Sequence, residues 1–536
     1  VHAVSVKLNC LSTTMPPTNS QAKLRPAVRW WPAAVILSLT ASIWTYIWFF
    51  QEVHRQTKNL QTTILILVTS VLLLLWVLLL SRLRWTRRLL VGGGAIGLAG
   101  IMASMLEIRG VTGDMLPVLE WRWSQSTSER LSVEQPTVEP RRVPLAFKAA
   151  YDYPQISGPD RTSVLPGPHL ARDWVSQPPE LLWRQPIGPA WSGFSVVDQY
   201  AVTMEQRGEN EMVTCYHLLT GDLIWTHVDQ SHFETVIAGE GPRTVPTIAD
   251  GRVYTLGPTG ILNCLQLVDG TVNWTKNIIT ENETTAQGWG AAGSPLVTDG
   301  KVIVSAGGDS GRSLIAYDAI TGSTIWSGGD DRASYSSPVL ATFDGVVQIL
   351  IFNDPGVKSH DLKTGLILWE YEWKRGHPHI VMPIVLADNR VLISSGYGTG
   401  SQLVQVRQNT PDKWSATRIW NSNRLKSKFA NIIVHENAIY GLDDGIFVCL
   451  DLDSGKRLWK RGRYGHGQMI QAGDLLLVMA ENGELVLLEP TPEEHRPLTR
   501  YSVLRSKTWN PLALAGEYLL VRNDKEAACY RLPTVD

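Results

Sequence analysis

An eleven-residue phrase recurs along the C-terminal two-thirds of the chain and constrains its fold more than any other feature. It reads CYHLLTGDLIW (215–225), CLQLVDGTVNW (264–274), AYDAITGSTIW (316–326), SHDLKTGLILW (359–369) and CLDLDSGKRLW (449–459). Each copy has the form strand, glycine turn, second strand ending in Trp. Two degenerate copies keep the spacing: LVQVRQNTPDKWSATRIW (403–420) and LVLLEPTPEEHRPLTRY (485–501). The units therefore end at Trp225, Trp274, Trp326, Trp369, Trp420, Trp459 and Tyr501, about 40–50 residues apart. Such a period marks stacked supersecondary units that share one core.

Two half-units are left over, and they complement each other. The chain closes with AACYRLPT (527–534), a first half with no Trp strand after it. The repeat region opens with PPELLWRQPIG (178–188), whose Trp183 strand has no first half. Joining them makes an eighth unit and removes the open sheet edges of a linear array. The expected fold is an all-β, eight-bladed propeller of four strands per blade over 151–536. Counting the joined unit as blade 1, blade 3 would comprise TVPTIAD, GRVYTLG, GILNCLQL and TVNWTKN.

The repeat also accounts for four of the five cysteines, all but Cys10. Cys215, Cys264, Cys449 and Cys529 share one position in the third strand of different blades, where blade 4 has Ala316 and blade 5 Ser359. This is a packing slot filled by small residues, and free Cys serves there as a small buried hydrophobe. Equivalent positions in separate blades lie too far apart for a disulfide. No Cys/His ligand spacing is present.

The first 123 residues have another character. They hold twelve Lys/Arg against four Asp/Glu, whereas the remainder holds 37 against 46. Three uncharged apolar stretches, at about 31–50, 62–81 and 89–106, are long enough to cross a hydrocarbon core about 30 Å thick. They are apolar on every face, unlike surface helices of a globular domain. No small-residue cleavage site marks them as a signal peptide. Eight basic residues flank one side of the spans (Lys7, Lys23, Arg25, Arg29, Arg82, Arg84, Arg87, Arg88) and four the other. The positive-inside rule then puts the N-terminus in the cytoplasm and everything beyond 110 on the far side, provided that all three stretches span. The expected organisation is a cytoplasmic tail (1–28), an anchor of three transmembrane helices (29–123), a flexible linker (124–150) and the propeller. The chain opens on Val, and Met15 offers an alternative start. The mildly acidic body carries no basic nucleic-acid footprint.

The repeated DL-x-TG-xxx-W phrase resembles the pyrroloquinoline quinone (PQQ)-like propeller repeat, over about 151–536. Two groups share that repeat. One comprises quinoprotein dehydrogenases, which bind the quinone with calcium. The other comprises non-enzymatic propellers similar to the lipoprotein of the outer-membrane β-barrel assembly machinery. GPDRTSVLPG (158–167), YGHGQ (464–468) and KTWNPLALAG (507–516) further resemble bacterial membrane-anchored PQQ-like proteins. The resemblance implies a periplasmic propeller on the inner membrane.

In a propeller the loop after each Trp strand enters the innermost strand of the next blade, and these loops gather at one mouth of the central channel. Here they offer Trp191, Arg243, Trp289, Tyr335, His377, His379, Lys428, Tyr464, His466, Gln468, Trp509 and Asn510 as ligand-binding candidates. Unlike the repeat tryptophans, they differ from blade to blade. Aromatic faces beside Arg, Lys and His suit a flat anion, a sugar chain or a peptide. The glycines of YGHGQ would let backbone approach such a ligand closely. Trp183, Trp225, Trp274, Trp326, Trp369, Trp420 and Trp459 are structural.

A calcium-assisted quinoprotein needs hard oxygen ligands and a carboxylate base. The loops supply one acid, Glu240, no Asp and no adjacent cysteines. The acidic turns GGDDR (328–332) and GLDDG (441–445) are ordinary β-turn chemistry. The sequence thus favours a membrane-tethered binding or scaffolding module without cofactor or metal, partnered by a protein or glycan on a propeller face. Catalytic residues are not identified. The alternative is a PQQ-dependent dehydrogenase of alcohols or sugars, with calcium.

Overall fold

The computed structural model describes residues 28–131 and 151–535; the expected N-terminal tail and most of the expected linker lie outside them. The chain divides into two units, one formed by the apolar helices and the other by residues 52–60 with everything beyond 104.

In the first unit, α1 (Trp31–Thr45), α2 (Arg55–Leu75) and α3 (Trp85–Met105) match the three apolar stretches. The first two continue through one π-helical turn each, giving apolar helices Trp31–Phe50, Arg55–Leu80 and Trp85–Met105. All three are long and apolar enough to cross a membrane. Small and polar residues join them: Thr40 and Thr69 hydroxyls meet at 2.8 Å, the Trp48 indole donates to Thr62 at 3.0 Å, and Gly92 lies under Leu78.

The second unit is an eight-bladed propeller. Each blade is an antiparallel sheet in sequence order, and blade 1 is completed across the ends, with Glu526–Arg531 paired to Glu180–Pro186. The register explains the repeated phrase. In each of Cys215↔Trp225, Cys264↔Trp274, Ala316↔Trp326, Ser359↔Trp369, Leu403↔Trp420, Cys449↔Trp459 and Cys529↔Trp183, a bulge follows the pair. In blade 8 the bulge falls after Leu487, so Thr499 takes the Trp place and Tyr501 pairs with Leu485 two residues further on.

The tryptophans lock blade to blade. Trp183, Trp225, Trp274, Trp326 and Trp420 each cover the turn glycine of the next blade: Gly221, Gly270, Gly322, Gly365 and Gly455. A β-carbon at Gly221, Gly270, Gly322 or Gly455 would stand 2.5–2.8 Å from the ring, and all five have φ between 65° and 75°. Only glycine meets both demands. Each indole N–H then donates to the carbonyl three residues before that glycine, at 2.8–3.2 Å. Blade 6 lacks the glycine turn. Trp369 before it donates instead to Gln348 Oε1 of its own blade, at 2.9 Å.

The four described cysteines are free and buried, and burial pushes their thiols up, Cys449 to about 12. They are inert packing groups. The slot is not strictly small, since Leu403 occupies it in blade 6.

The channel is filled by the chain itself. Tyr153 exchanges backbone bonds with Val196 of blade 2, Pro154 accepts from Ile248 of blade 3, and Val164–Leu165 adds a parallel strand inside blade 8. Between them, Arg161 donates to the carbonyls of Pro338 (2.8 Å), Ser294 (3.4 Å) and Pro295, all at the starts of inner strands. The GPDRTSVLPG motif is therefore a plug. Burial draws the Arg161 guanidinium down to about 9, still charged at neutral pH.

Two segments before the repeats join this unit. A hairpin of β1 (Leu106–Val111) and β2 (Pro117–Trp121) comes immediately after α3, and a one-turn helix at Thr127–Arg130 carries a capping box from Ser126 and Glu129. The Ser128 carbonyl accepts from Gly208 N–H at 3.0 Å, so the start of the expected linker is docked on blade 2.

Candidate functional site

Above the plug, the mouth loops surround a cavity of about 470 Å³. Its wall is aromatic. Trp191 meets Trp509 at 4.8 Å between ring centroids, Trp509 meets Phe429 at 5.1 Å, and Trp289 stacks on Tyr335 at 5.1 Å. Tyr397 and Tyr153 add further rings, and Ile380, Met382, Met469, Ile470 and Leu512 add aliphatic surface. Among the described residues, Arg243 is the one charged residue that lines the cavity. Its Nη2 donates to the carbonyls of Gly239 (2.6 Å) and Ala238 (3.2 Å), and the guanidinium lies 4.6 Å from the Phe233 ring. Its Nε and Nη1 are buried without a hydrogen-bond partner. Burial lowers Arg243 to about 10, with Glu211 opposing, so it remains a cation at neutral pH.

The cavity has a roof. Residues Val111–Gly113 and Met115 line it from the hairpin tip, and Gln56, Thr57 and Leu60 line it from the 52–60 segment. Glu481 organises this closure: it accepts from Gly113 N–H (2.6 Å), His466 N–H (3.0 Å) and the Trp509 indole (3.1 Å). Asp114 faces Arg55 at 3.0 Å, His466 at 3.7 Å and Arg463 at 3.8 Å. Burial alone would raise the Asp114 carboxyl, but these three partners outweigh it and hold the group below its usual range. Gln56 and Asn59 donate to the carbonyls of Gly113 (2.6 Å) and Asp114 (2.8 Å), and Lys507 Nζ donates to Val111 O (3.0 Å) while lying 4.3 Å from the Trp509 ring.

The structure sorts the sequence-derived candidates into two groups. Trp191, Arg243, Trp289, Tyr335, Gln468 and Trp509 line the cavity. The other six hold the loops in place. Asn510 donates to the carbonyls of Ala190 and Ser192, both at 2.8 Å, and is buried. Tyr464 bonds His495 at 2.8 Å. His379 is buried against Phe352, with its ring nitrogens on the carbonyls of Asn353 (2.8 Å) and Lys374 (3.2 Å). His377 stacks on Tyr397, and burial lowers its pKa. Lys428 and His466 face Asp444 (3.6 Å) and Asp114 respectively. Burial also lowers the Lys428 ammonium, against the pull of Asp444.

The glycines of YGHGQ serve packing. A β-carbon on Gly465 would meet Glu481 Cβ at 2.5 Å, and one on Gly467 would strike the Met479 carbonyl. Glu240 pairs in a small sheet with Glu234 and does not line the cavity. GLDDG holds its acids in ion pairs, Asp443 with Lys426 and Lys460, and Asp444 with Lys426, Lys428 and His54. Tyr397, Glu481 and Asp114 lie outside the loops after the Trp strands, whereas Phe429 lies within one of them, beside the candidate Lys428. Tyr397 sits in a hairpin inside blade 6, Asp114 precedes the repeats, and Glu481 follows the second strand of blade 8. Among the described residues, no group of three or more His, Cys, Asp or Glu is arranged to hold a metal.

A sequence profile described as outer membrane protein assembly factor BamB matches residues 180–461, more than half of the chain. The chain belongs to the BamB family. No curated protein matches it in sequence. Among solved structures, a europium-containing methanol dehydrogenase is similar over 72% of this chain and 99% of that one, with 11% identity and a TM-score of 0.56. Quinohemoprotein alcohol dehydrogenase from Comamonas testosteroni is similar over 73% and 82%, with 14% identity and a TM-score of 0.52. BamB from Moraxella catarrhalis is matched over 65% and 98%, with 16% identity and a TM-score of 0.47. The two dehydrogenases share the propeller fold with this BamB-family chain, at identities that speak to fold alone.

Proposed function

We propose that this BamB-family propeller is a membrane-tethered binding or scaffolding module on the extracytoplasmic side of a bacterial inner membrane. One observation carries the reading: the cavity at the channel mouth is walled by aromatic and aliphatic side chains, and among the described residues no carboxylate lines it. Concave apolar sites with a few placed polar groups bind; proton transfer needs a positioned acid or base. The orientation follows from the flanking charge, eight basic residues against four. The partner is a protein, or a glycan, engaging a propeller face.

The second reading, a quinone-dependent dehydrogenase, draws support from the fold shared with the alcohol dehydrogenases. The lining residues do not fit it. A calcium ion takes six to eight hard oxygen ligands, whereas the polar groups here are amides, hydroxyls and one guanidinium. The two acids of the roof, Glu481 and Asp114, already accept N–H groups or face cations.

The test is a titration of the purified full chain with PQQ and calcium, followed by tryptophan fluorescence, beside Trp289→Ala. The full chain is needed because residues 52–60 and 111–115 complete the cavity. Absence of saturable binding at tens of micromolar is the expected result, with crosslinking in intact membranes then used to identify the partner. Saturable binding weakened by Trp289→Ala would overturn the module reading in favour of the dehydrogenase.

A further inference from the structure

The most unusual group at the mouth is Arg243. Its position is fixed by two carbonyls on Nη2 and by the Phe233 face, yet Nε and Nη1 are buried with nothing to donate to. Buried donors without partners carry a desolvation cost, and each free N–H of a guanidinium suits an anionic oxygen of a carboxylate or phosphate. The rest of the lining is the wrong surface for a sugar or a polyanion, since it consists mainly of indole, phenyl, phenol and aliphatic groups with no second charge.

We propose that the mouth cavity holds one amphiphile taken from the membrane: an apolar single chain ending in one anionic head group, which Arg243 receives. The inference rests on the binding-module reading and names the chemistry of its ligand. A volume of about 470 Å³ suits a single chain rather than a two-chain phospholipid. The charge count matches as well. Glu211, the acid whose field reaches Arg243, is pushed up to about 8 by burial, so at neutral pH it leaves the guanidinium charge uncancelled. The membrane is the favoured source because Gln56, Thr57 and Leu60, which line the roof, begin the apolar helix Arg55–Leu80.

The full chain in lipid nanodiscs is photolabelled with a diazirine-bearing palmitate or with its methyl ester, and labelled peptides are mapped by mass spectrometry. The acid is expected to label peptides containing Met115, Met382 or Met469 at least tenfold more than the ester. Arg243→Gln is expected to bring the acid down to the ester level. Ala292→Phe, which fills the cavity and leaves Arg243 in place, is expected to abolish both signals and serves if Arg243→Gln fails to fold. Equal labelling by acid and ester in the wild type, or label confined to residues 31–105, would overturn the proposal. Displacement of the label by equimolar 2-naphthoate would overturn the membrane source and point to a soluble aromatic acid. The outcomes separate from those of the quinone titration: quinone binding sinks the module reading, whereas no quinone and no label sinks only this proposal.

Discussion

The blade rim and the channel mouth use the same residue type to opposite ends. At the rim, Trp225 is buried, sits on Gly270 and donates to Leu267 O at 2.8 Å; neighbouring blades repeat the arrangement with near-identical geometry. At the mouth, Trp191, Trp289 and Trp509 are partly exposed. Trp191 and Trp509 share a place four residues before their inner strands, but Arg243 and Ala292 fill that place in blades 3 and 4, so no common register demands an indole there. The difference teaches which tryptophans hold the fold. A side chain repeated by register solves a packing problem that every blade shares. One that no common register demands is free of that problem and answers to the site.

Substitutions can break or sharpen this contrast. The largest effect is expected for Trp225→Ala, which empties a buried slot between blades 2 and 3 and should cost about 3–5 kcal/mol in urea unfolding. A cost near zero would dissolve the idea of a rim lock. Next comes Glu211, in blade 2 beside the mouth's Arg243. It is 1% exposed and neither of its oxygens has a partner. Its folded-state pKa of about 8 lies above the usual unfolded value of about 4.3. The folded state therefore holds the proton more tightly, and the stability this group confers below pH 4.3 is lost as pH rises toward 8. Glu211→Gln, neutral at every pH, should gain stability over the wild type by about 1–3 kcal/mol at pH 8 and by less at pH 5. Equal gains in thermal melts at the two values would contradict the assignment.

A smaller effect isolates the hydrogen bond of the lock. Trp225→Phe removes the donor to Leu267 O and should cost about 1 kcal/mol beyond the lost area. Trp369→Phe leaves Gln348 Oε1 without this donor inside a single blade, so hydrogen exchange should loosen blade 5 alone. If both loosen the following blade equally, the turn contact is not what couples blades. The smallest effect is expected at the mouth: Trp289→Ala should change stability by less than about 1 kcal/mol, because its ring packs mainly on Tyr335 and open cavity. A loss as large as that of Trp225→Ala would make the mouth part of the core.

Much of the fold was legible in the chain because each blade states it again. Eight blades, closure through Trp183 and Cys529, and the inert cysteine slot all follow from one phrase read in register. The exceptions are local. Thr499 replaces Tyr501 as the Trp equivalent because the pair before the bulge lies two residues closer to the turn, which spacing alone does not reveal. The site was half legible. Loops after the Trp strands do reach one mouth, yet their side chains divide between lining the cavity and bracing it. Nothing in HPHIVMPIV tells that His379 turns into the wall while Ile380 faces the cavity.

The sequence by itself determined what recurs: the period, the Trp–Gly pairing, the ring closure and three helices able to cross a membrane. Each is a pattern whose physics is complete within one or two units that adjoin in space, even where, as at the closure, their halves come from opposite ends of the repeat region. Only the tertiary structure decided what fills the channel and roofs the mouth. The plug at 153–165, the hairpin tip at Thr112–Met115 and residues 52–60 occur once, carry no period and meet partners hundreds of residues away. Their place was set by unsatisfied groups on the assembled ring: inner-strand carbonyls that Arg161 donates to, and the Glu481 carboxylate that Gly113 donates to. Those groups come together only once the blades have closed.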